Sequence, residues 1–302
     1  MTVTRAAATS APFSLPLYST CRGSTVIDLS ASSIPAAQVR GMEVMRHAST
    51  FLRPPPLPPA ADGPAPSYAL VVLNQRLPRF APDLWSHAAT LRIFADGGAN
   101  RVFDGMPKFF PEQDPLEVRR RYKPDVIRGD LDSIRPEVKE FYSNLGVKVE
   151  DVSYDQDTTD LHKCVAFICD FTPEVDKPNL CILVAGALGG RFDHEAGNLN
   201  ILYKFSNIQI VLLSDDCLIQ LLPKTHCHEI HIQSSVEGPH CGLIPVGAPS
   251  VSTTTTGLRW DLTDAGMSFG GLISTSNMVC KERITVRSDS DLLWTISIKK
   301  KT

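Results

Sequence analysis

At 302 residues, with 43% hydrophobic and 21% charged side chains, the chain has the composition of a soluble globular protein and the length for two ordinary domains. A formal net charge of −3 gives no general affinity for nucleic acid or for an anionic membrane, and no apolar run approaches the roughly 20 residues of a membrane span. The eight cysteines include no C-x-x-C pair, and four sit in apolar segments such as residues 180–183. That usage fits reduced thiols in a cytoplasmic compartment and argues against a disulfide framework or structural zinc.

Residues 1–66 differ from the rest, being rich in Ala, Ser, Thr and Pro and ending in the proline run that follows Arg53. Their first part carries Arg5, Arg22, Arg40, Arg46 and Arg53 against only Asp28 and Glu43. A basic, serine-rich, acid-poor beginning resembles a transit peptide, which would direct the protein to a plastid or mitochondrion. The plainer alternative is a disordered extension, with Met42 or Met45 as a later start. On either reading, residues 1–66 are expected to lie outside the fold.

From residue 67 the pattern becomes α/β. Residues 68–73, 91–95, 124–128, 147–152 and 180–185 read as strands, and 135–145, 159–169 and 194–203 as helices. Strands alternating with helices predict a mostly parallel sheet flanked by helices over residues 67–208. After that the helical period disappears. Short strand-like runs at 210–213, 217–222, 228–232, 283–286 and 292–298, separated by Gly, Pro, Ser and Asn, predict an all-β sandwich over residues 209–302. The fold class is therefore α/β followed by an all-β domain.

Open parallel sheets bind ligands beyond the C-terminal ends of their strands, so the polar segments there carry the chemistry. Asp96 stands at the tip of the second strand before paired glycines; taken alone, this is a turn. Asp130 and Asp132 follow the third strand and share a side if the extended backbone continues. Two such carboxylates repel unless a cation lies between them, and Mg²⁺ suits oxygen ligands and substrate phosphates. The alternative is that Asp132 or Ser133 caps the next helix. Asp157 and Asp160 match a capping pair, yet Asp160 and Lys163, three apart, share a helix face and can reach one polyphosphate.

The glycine-rich segment from Gly186 to Glu195 joins a buried strand to a helix, whose N-terminus favours phosphate, and Arg191 adds an anion donor. It is neither a P-loop nor a dinucleotide fingerprint. The run from His226 to His231 lacks metal-ligand spacing and is explained by polar alternation on a strand; residues 253–256 read as a loop or edge strand, and 299–301 as a solvated end.

In order, ADGGANRVFD, KPDVIRGDLDSIRPEV, DQDTTDLHKC, GALGGRFDHEAGNLNIL, TTGLRWDL and FGGLISTSN make the chain resemble the thiamine pyrophosphokinase family, particularly its plant-type members, from residue 68 to 298. The resemblance implies a catalytic α/β domain, a thiamine-binding β-domain and a homodimer whose sites lie across the interface, with ATP as co-substrate. By position, Asp96, Asp130, Asp132 and Asp160 match the acidic residues that bind Mg²⁺ and support catalysis. Gln156, Thr159, Lys163, Arg191 and Asp193 match nucleotide- and phosphate-contacting positions. Trp260 matches the aromatic on which the substrate ring stacks, with Ser274, Ser276 or Asn277 nearby; a Trp buried between sandwich sheets is the alternative. The implied reaction moves the terminal diphosphate of ATP to the thiamine hydroxyl, with Asp130 or Asp132 as proton acceptor or metal ligand. Its rivals are a nucleotide diphosphatase and a non-catalytic thiamine-binding protein.

Overall fold

The computed structural model describes residues 42–53, 66–88 and 90–300. Its spine is a ten-stranded sheet. Six parallel strands form one half: β2 (Ser67–Val72), β3 (Leu91–Ala95), β4 (Val126–Gly129), β5 (Lys148–Asp151), β6 (Leu180–Ala185) and β7 (Gln209–Leu213). Their spatial order is β7-β6-β2-β3-β4-β5, so the order reverses between β2 and β6. The sheet continues antiparallel through β8 (Cys217–Leu222), β15 (Leu292–Ile298), β10 (Glu237–Ile244) and β13 (Ser274–Met278).

Alternation sends successive β2 side chains to two cores. Tyr68, Leu70 and Val72 join the core beneath the helices α1 (Ala81–His87), α2 (Gly98–Gly105), α3 (Pro115–Arg121) and α4 (Pro136–Asn144). Ala69, Val71 and Leu73 face α5 (Asp160–Phe171) and α6 (Phe192–Lys204). Helix α5 is amphipathic in the ordinary way, burying Leu161, Cys164, Val165 and Ile168 as one stripe. Its N-cap is Thr159, whose hydroxyl accepts the His162 N–H at 3.2 Å, a contact worth about 1 kcal/mol.

A second, five-stranded sheet runs β1 (Glu43–Ala48), β9 (His226–His231), β14 (Arg283–Ser288), β11 (Ser250–Thr256) and β12 (Ala265–Met267). Its Ile230, Met267, Ile284 and Val286 share a core with Leu243, Leu292, Trp294 and Ile296 of the large sheet, which makes the expected sandwich.

Three expectations are corrected here. Residues 42–53 belong to the fold: β1 pairs in parallel with β9 from Glu43 to Ala48, and Phe51 and Leu52 are buried. His47 joins the interior, its Nε2 lying 3.0 Å from His228 Nδ1, and Ser49 Oγ donates to buried Glu237 at 2.8 Å. The remainder of residues 1–66, apart from Pro66, lies outside the described residues. Second, the change at residue 208 is no break in the sheet, because β7 pairs with β6 and hands the ladder on to β8. Third, residues 253–256 are no edge, because β11 is paired on both sides, with β14 and β12.

Candidate functional site

A cleft of about 470 Å³ opens beyond the C-terminal ends of the parallel strands, at the reversal between β2 and β6. Its walls are the segments that follow those strands. Leu73, Asn74 and Gln75 come after β2, Asp96 after β3, Asp130 and Ser133 after β4, and nine residues between Gly186 and Asn198, among them Gly190, Arg191 and Glu195, after β6. Thr158, Thr159, Asp160 and Lys163 enter from the start of α5.

Asp96 is 2% exposed and sits at φ 41°, a left-handed turn between β3 and α2. Its carboxylate accepts the N–H groups of Ser133 and Ile134, each at 3.0 Å. Burial raises its pKa, and those hydrogen bonds oppose the rise. Asp96, Asp130 and Asp132 each bring a carboxylate oxygen within 4.8 Å of the others, the one such group of three or more potential metal ligands among the described residues. Asp130 and Asp132 do not converge through strand alternation. The strand ends at Gly129, and Leu131 turns the chain at φ 61°. Oδ1 of Asp130 is buried with no hydrogen-bond partner, which is costly for a carboxylate oxygen unless a cation meets it.

Asp160 approaches from α5. Burial first, then the charges of Asp130 and Asp96, push its pKa up to about 6. The buried ammonium of Lys163 lies 3.9 Å from Asp160 Oδ1. Gly129 is what lets the acids come so close: a Cβ there would stand 2.7 Å from Asp96 Cβ and 3.1 Å from Asp160 Oδ1. Oxygen donors alone, clustered around an unpartnered buried oxygen, fit a hard divalent cation such as Mg²⁺.

The other wall is built for anions. Gly189 and Gly190 donate their backbone N–H groups to Glu195 Oε1 ahead of α6, and Arg191 is exposed and ion-paired with Asp193. That pairing raises the Arg191 pKa and lowers that of Asp193. Gln156 is exposed outside the cleft lining, its Nε2 donating to the Ser153 carbonyl at 2.5 Å, and Asp132 is exposed at the rim. Asn74, Gln75 and Glu195 are lining residues to which the sequence assigned no role, and Ser133, weighed there as a helix cap, lines the cleft too. The strand-end rule applied to β2 finds the first two.

The β-domain positions stand apart from this cleft, whose lining runs only from Leu73 to Asn198. Trp260 is 55% exposed, so it is not the Trp between the sheets; Trp294 is, at 0%. Buried Asn277 clamps Trp260 by its backbone, Oδ1 accepting its N–H at 3.2 Å and Nδ2 donating to its carbonyl at 2.9 Å. Nδ2 also donates to Ser274 Oγ at 3.2 Å, while Ser276 is exposed at φ 55°. The Arg259 guanidinium lies 4.9 Å from the Trp260 ring centroid, so the indole face already takes a cation.

Comparison with known proteins places the chain in a family. Residues 81–212 match the family profile "Thiamin pyrophosphokinase, catalytic domain", and residues 227–293 match "Thiamin pyrophosphokinase, vitamin B1 binding domain". Thiamine pyrophosphokinase 1 of Oryza sativa subsp. japonica is 67% identical over 262 residues, 85% of this chain and 99% of its own. Thiamine pyrophosphokinase 1 of Arabidopsis thaliana is 66% identical over 259 residues, 86% of this chain and 95% of its own. Among solved structures, thiamin pyrophosphokinase from Candida albicans shares the fold at TM-score 0.68 and 24% identity, covering 85% of this chain and 93% of that one. Yeast thiamin pyrophosphokinase does so at TM-score 0.69 and 24% identity, covering 85% and 91%. With both profiles in register on the two halves and plant relatives matching along most of their length, the chain belongs to the thiamine pyrophosphokinase family.

Proposed function

We propose that the chain transfers the β,γ-diphosphate of ATP to the hydroxyl of thiamine, giving thiamine diphosphate and AMP, in the cleft between β2 and β6. The observation that carries the reading is the convergence of Asp96, Asp130 and Asp132 at a cleft also lined by Lys163, Gly190 and Arg191. Asp96, Asp130 and Asp132, with Asp160 beside them, are the residues that would hold Mg²⁺. Bound there, the ion supplies charge neutralisation to the phosphate oxygens.

The thiamine hydroxyl oxygen bonds to the β-phosphorus, and the bond from that phosphorus to the α,β-bridging oxygen breaks, so AMP leaves with that oxygen. The hydroxyl proton passes to a carboxylate of the acidic cluster. Lys163 and Arg191 offset the negative charge of the phosphate chain, and the N–H groups of Gly189 and Gly190 orient it. Trp260 gives the cationic thiamine ring an aromatic face, held in place by Asn277.

Since the cleft lining ends at Asn198 and Trp260 stands exposed elsewhere on the chain, the reading has a homodimer, in which the β-domain of one copy completes the cleft of the other. Incubation with thiamine, Mg²⁺ and ATP labelled at the β-phosphate tests the assignment. Label in thiamine diphosphate, with AMP in equal amount, supports it. Free labelled diphosphate with thiamine unchanged refutes it in favour of hydrolysis, and thiamine binding without turnover refutes it in favour of a binding protein.

A further inference from the structure

After β6 the chain satisfies its own anion-binding groups. Gly189, at φ 93°, and Gly190 aim successive N–H groups at one oxygen, Oε1 of Glu195, at 2.8 and 3.0 Å. Consecutive backbone N–H groups converging on one point form a nest, the arrangement that holds an anionic oxygen. One residue further on, the Arg191 guanidinium is held by both oxygens of Asp193, at 3.1 and 2.5 Å. Gly190, Arg191, Asp193 and Glu195 all line the cleft. Both anion donors of this loop are therefore engaged by carboxylates from the same chain.

A carboxylate oxygen and a phosphate oxygen make the same demand on a pair of N–H groups, and one nest holds one of them. We propose that Glu195 stands in for a phosphate oxygen in the free protein and that the phosphate chain of the nucleotide displaces it, so that Glu195 sets nucleotide affinity. The inference rests on the nucleotide reading of the cleft. Its geometry allows the exchange: the Glu195 backbone is fixed in the first turn of α6, its N–H donating to the Arg191 carbonyl at 3.1 Å. The side chain alone has to swing away. In the free state the loop is kept in its anion-holding shape by a group that leaves when the ligand arrives.

The test uses the full chain with α,β-methylene-ATP and Mg²⁺, an analogue whose bridging bond cannot be cleaved by attack at the β-phosphorus. Calorimetry on Glu195→Ala is expected to show binding tightened about threefold to tenfold, the order for releasing one charge-assisted contact at a partly exposed site. Glu195→Gln, which keeps an acceptor but loses the charge, is expected to fall between. With selective ¹⁵N-glycine labelling, the Gly189 and Gly190 amide signals should differ between wild type and Glu195→Gln in the free proteins and coincide at saturating analogue. A general charge effect or a permanent brace would leave them different in both states. Unchanged or weaker binding by Glu195→Ala, in a variant with wild-type circular dichroism, overturns the inference alone. A wild-type chain that binds no analogue overturns it together with the proposed function.

Discussion

Replacing Gly129 with alanine isolates the spacing of the acidic side chains, because the glycine itself touches no ligand-binding atom chemically. The new Cβ would stand 2.7 Å from Asp96 Cβ and 3.1 Å from Asp160 Oδ1. Carbon atoms rest roughly 3.5–4.0 Å apart, so Asp96 has to give by about 1 Å. It cannot do so freely, being 2% exposed and fixed by the N–H groups of Ser133 and Ile134. Overpacking of this kind costs about 1–3 kcal/mol of stability, which a protein of this size survives. A 1 Å misplacement at a reacting centre costs about a hundredfold in rate. Gly129→Ala should therefore fold, melt a few degrees lower, and form thiamine diphosphate about a hundredfold more slowly at saturating Mg²⁺. The assay is product formation alongside a thermal melt. A folded variant retaining activity within about threefold of wild type would refute the argument that carboxylate spacing governs the cleft.

Asp96→Asn should lose metal-dependent turnover and also melt lower, since an amide accepts only one of the two N–H bonds now made and leaves a buried donor facing a donor; that costs about 1–3 kcal/mol, read by denaturant titration. Trp260→Ala should raise the thiamine KM about 2- to 30-fold, from the roughly 0.5–2 kcal/mol of a cation on an aromatic face, with the melting temperature unchanged because the residue is 55% exposed. Stability should depend on pH through His47 and His228, whose pKa values burial lowers to about 3 and about 4. Unfolded histidines take a proton below about 6.5, so the unfolded chain binds more protons; stability present above that pH is lost as it falls towards 4. Raised carboxylates such as Asp160 act in the opposite sense, so the histidine slope is read from the difference between wild-type and His228→Gln melts from about pH 7.5 to 5, which should grow as pH falls. A chain beginning at Pro54 should be less stable by several kcal/mol than one beginning at Met42, since burial of Phe51 and Leu52 contributes about 1.5–3 kcal/mol each. Equal denaturation midpoints would contradict this.

The parallel half of the fold was legible because its strands are buried on both faces and read as unbroken apolar runs, such as β6 with every residue buried. Strand β1 was not, for the opposite reason. Among its residues only His47 is buried, so no apolar pattern marks it, and its partner β9 lies far along the chain. Helix α2 hid behind the glycines that open it. Asp96, Asp130 and Asp132 stand where the strand-end rule looks, but Asp96 read alone as a turn and joined the other two only through the family resemblance; Asp130 and Asp132 meet through a left-handed Leu131 that no propensity announces. Glu195 escaped notice because an acid in a first helical turn looks like ordinary dipole compensation. Its grip on two glycine N–H groups is a tertiary fact. For Trp260, sequence offered stacking or burial, and only the coordinates separate it from Trp294.

The sheet that continues from β6 through β7, β8, β15 and β10 to β13, with register shifts along β10, has a mechanical consequence. The strand that ends at the glycine loop and the strand that carries Ser274 and Asn277 belong to one hydrogen-bonded sheet. Swinging one half of such a chain against the other would require breaking or bending that shared sheet. The cheaper movements are small and local, those of the loops and side chains at the rim of the sheet, a change of grip upon a shared frame.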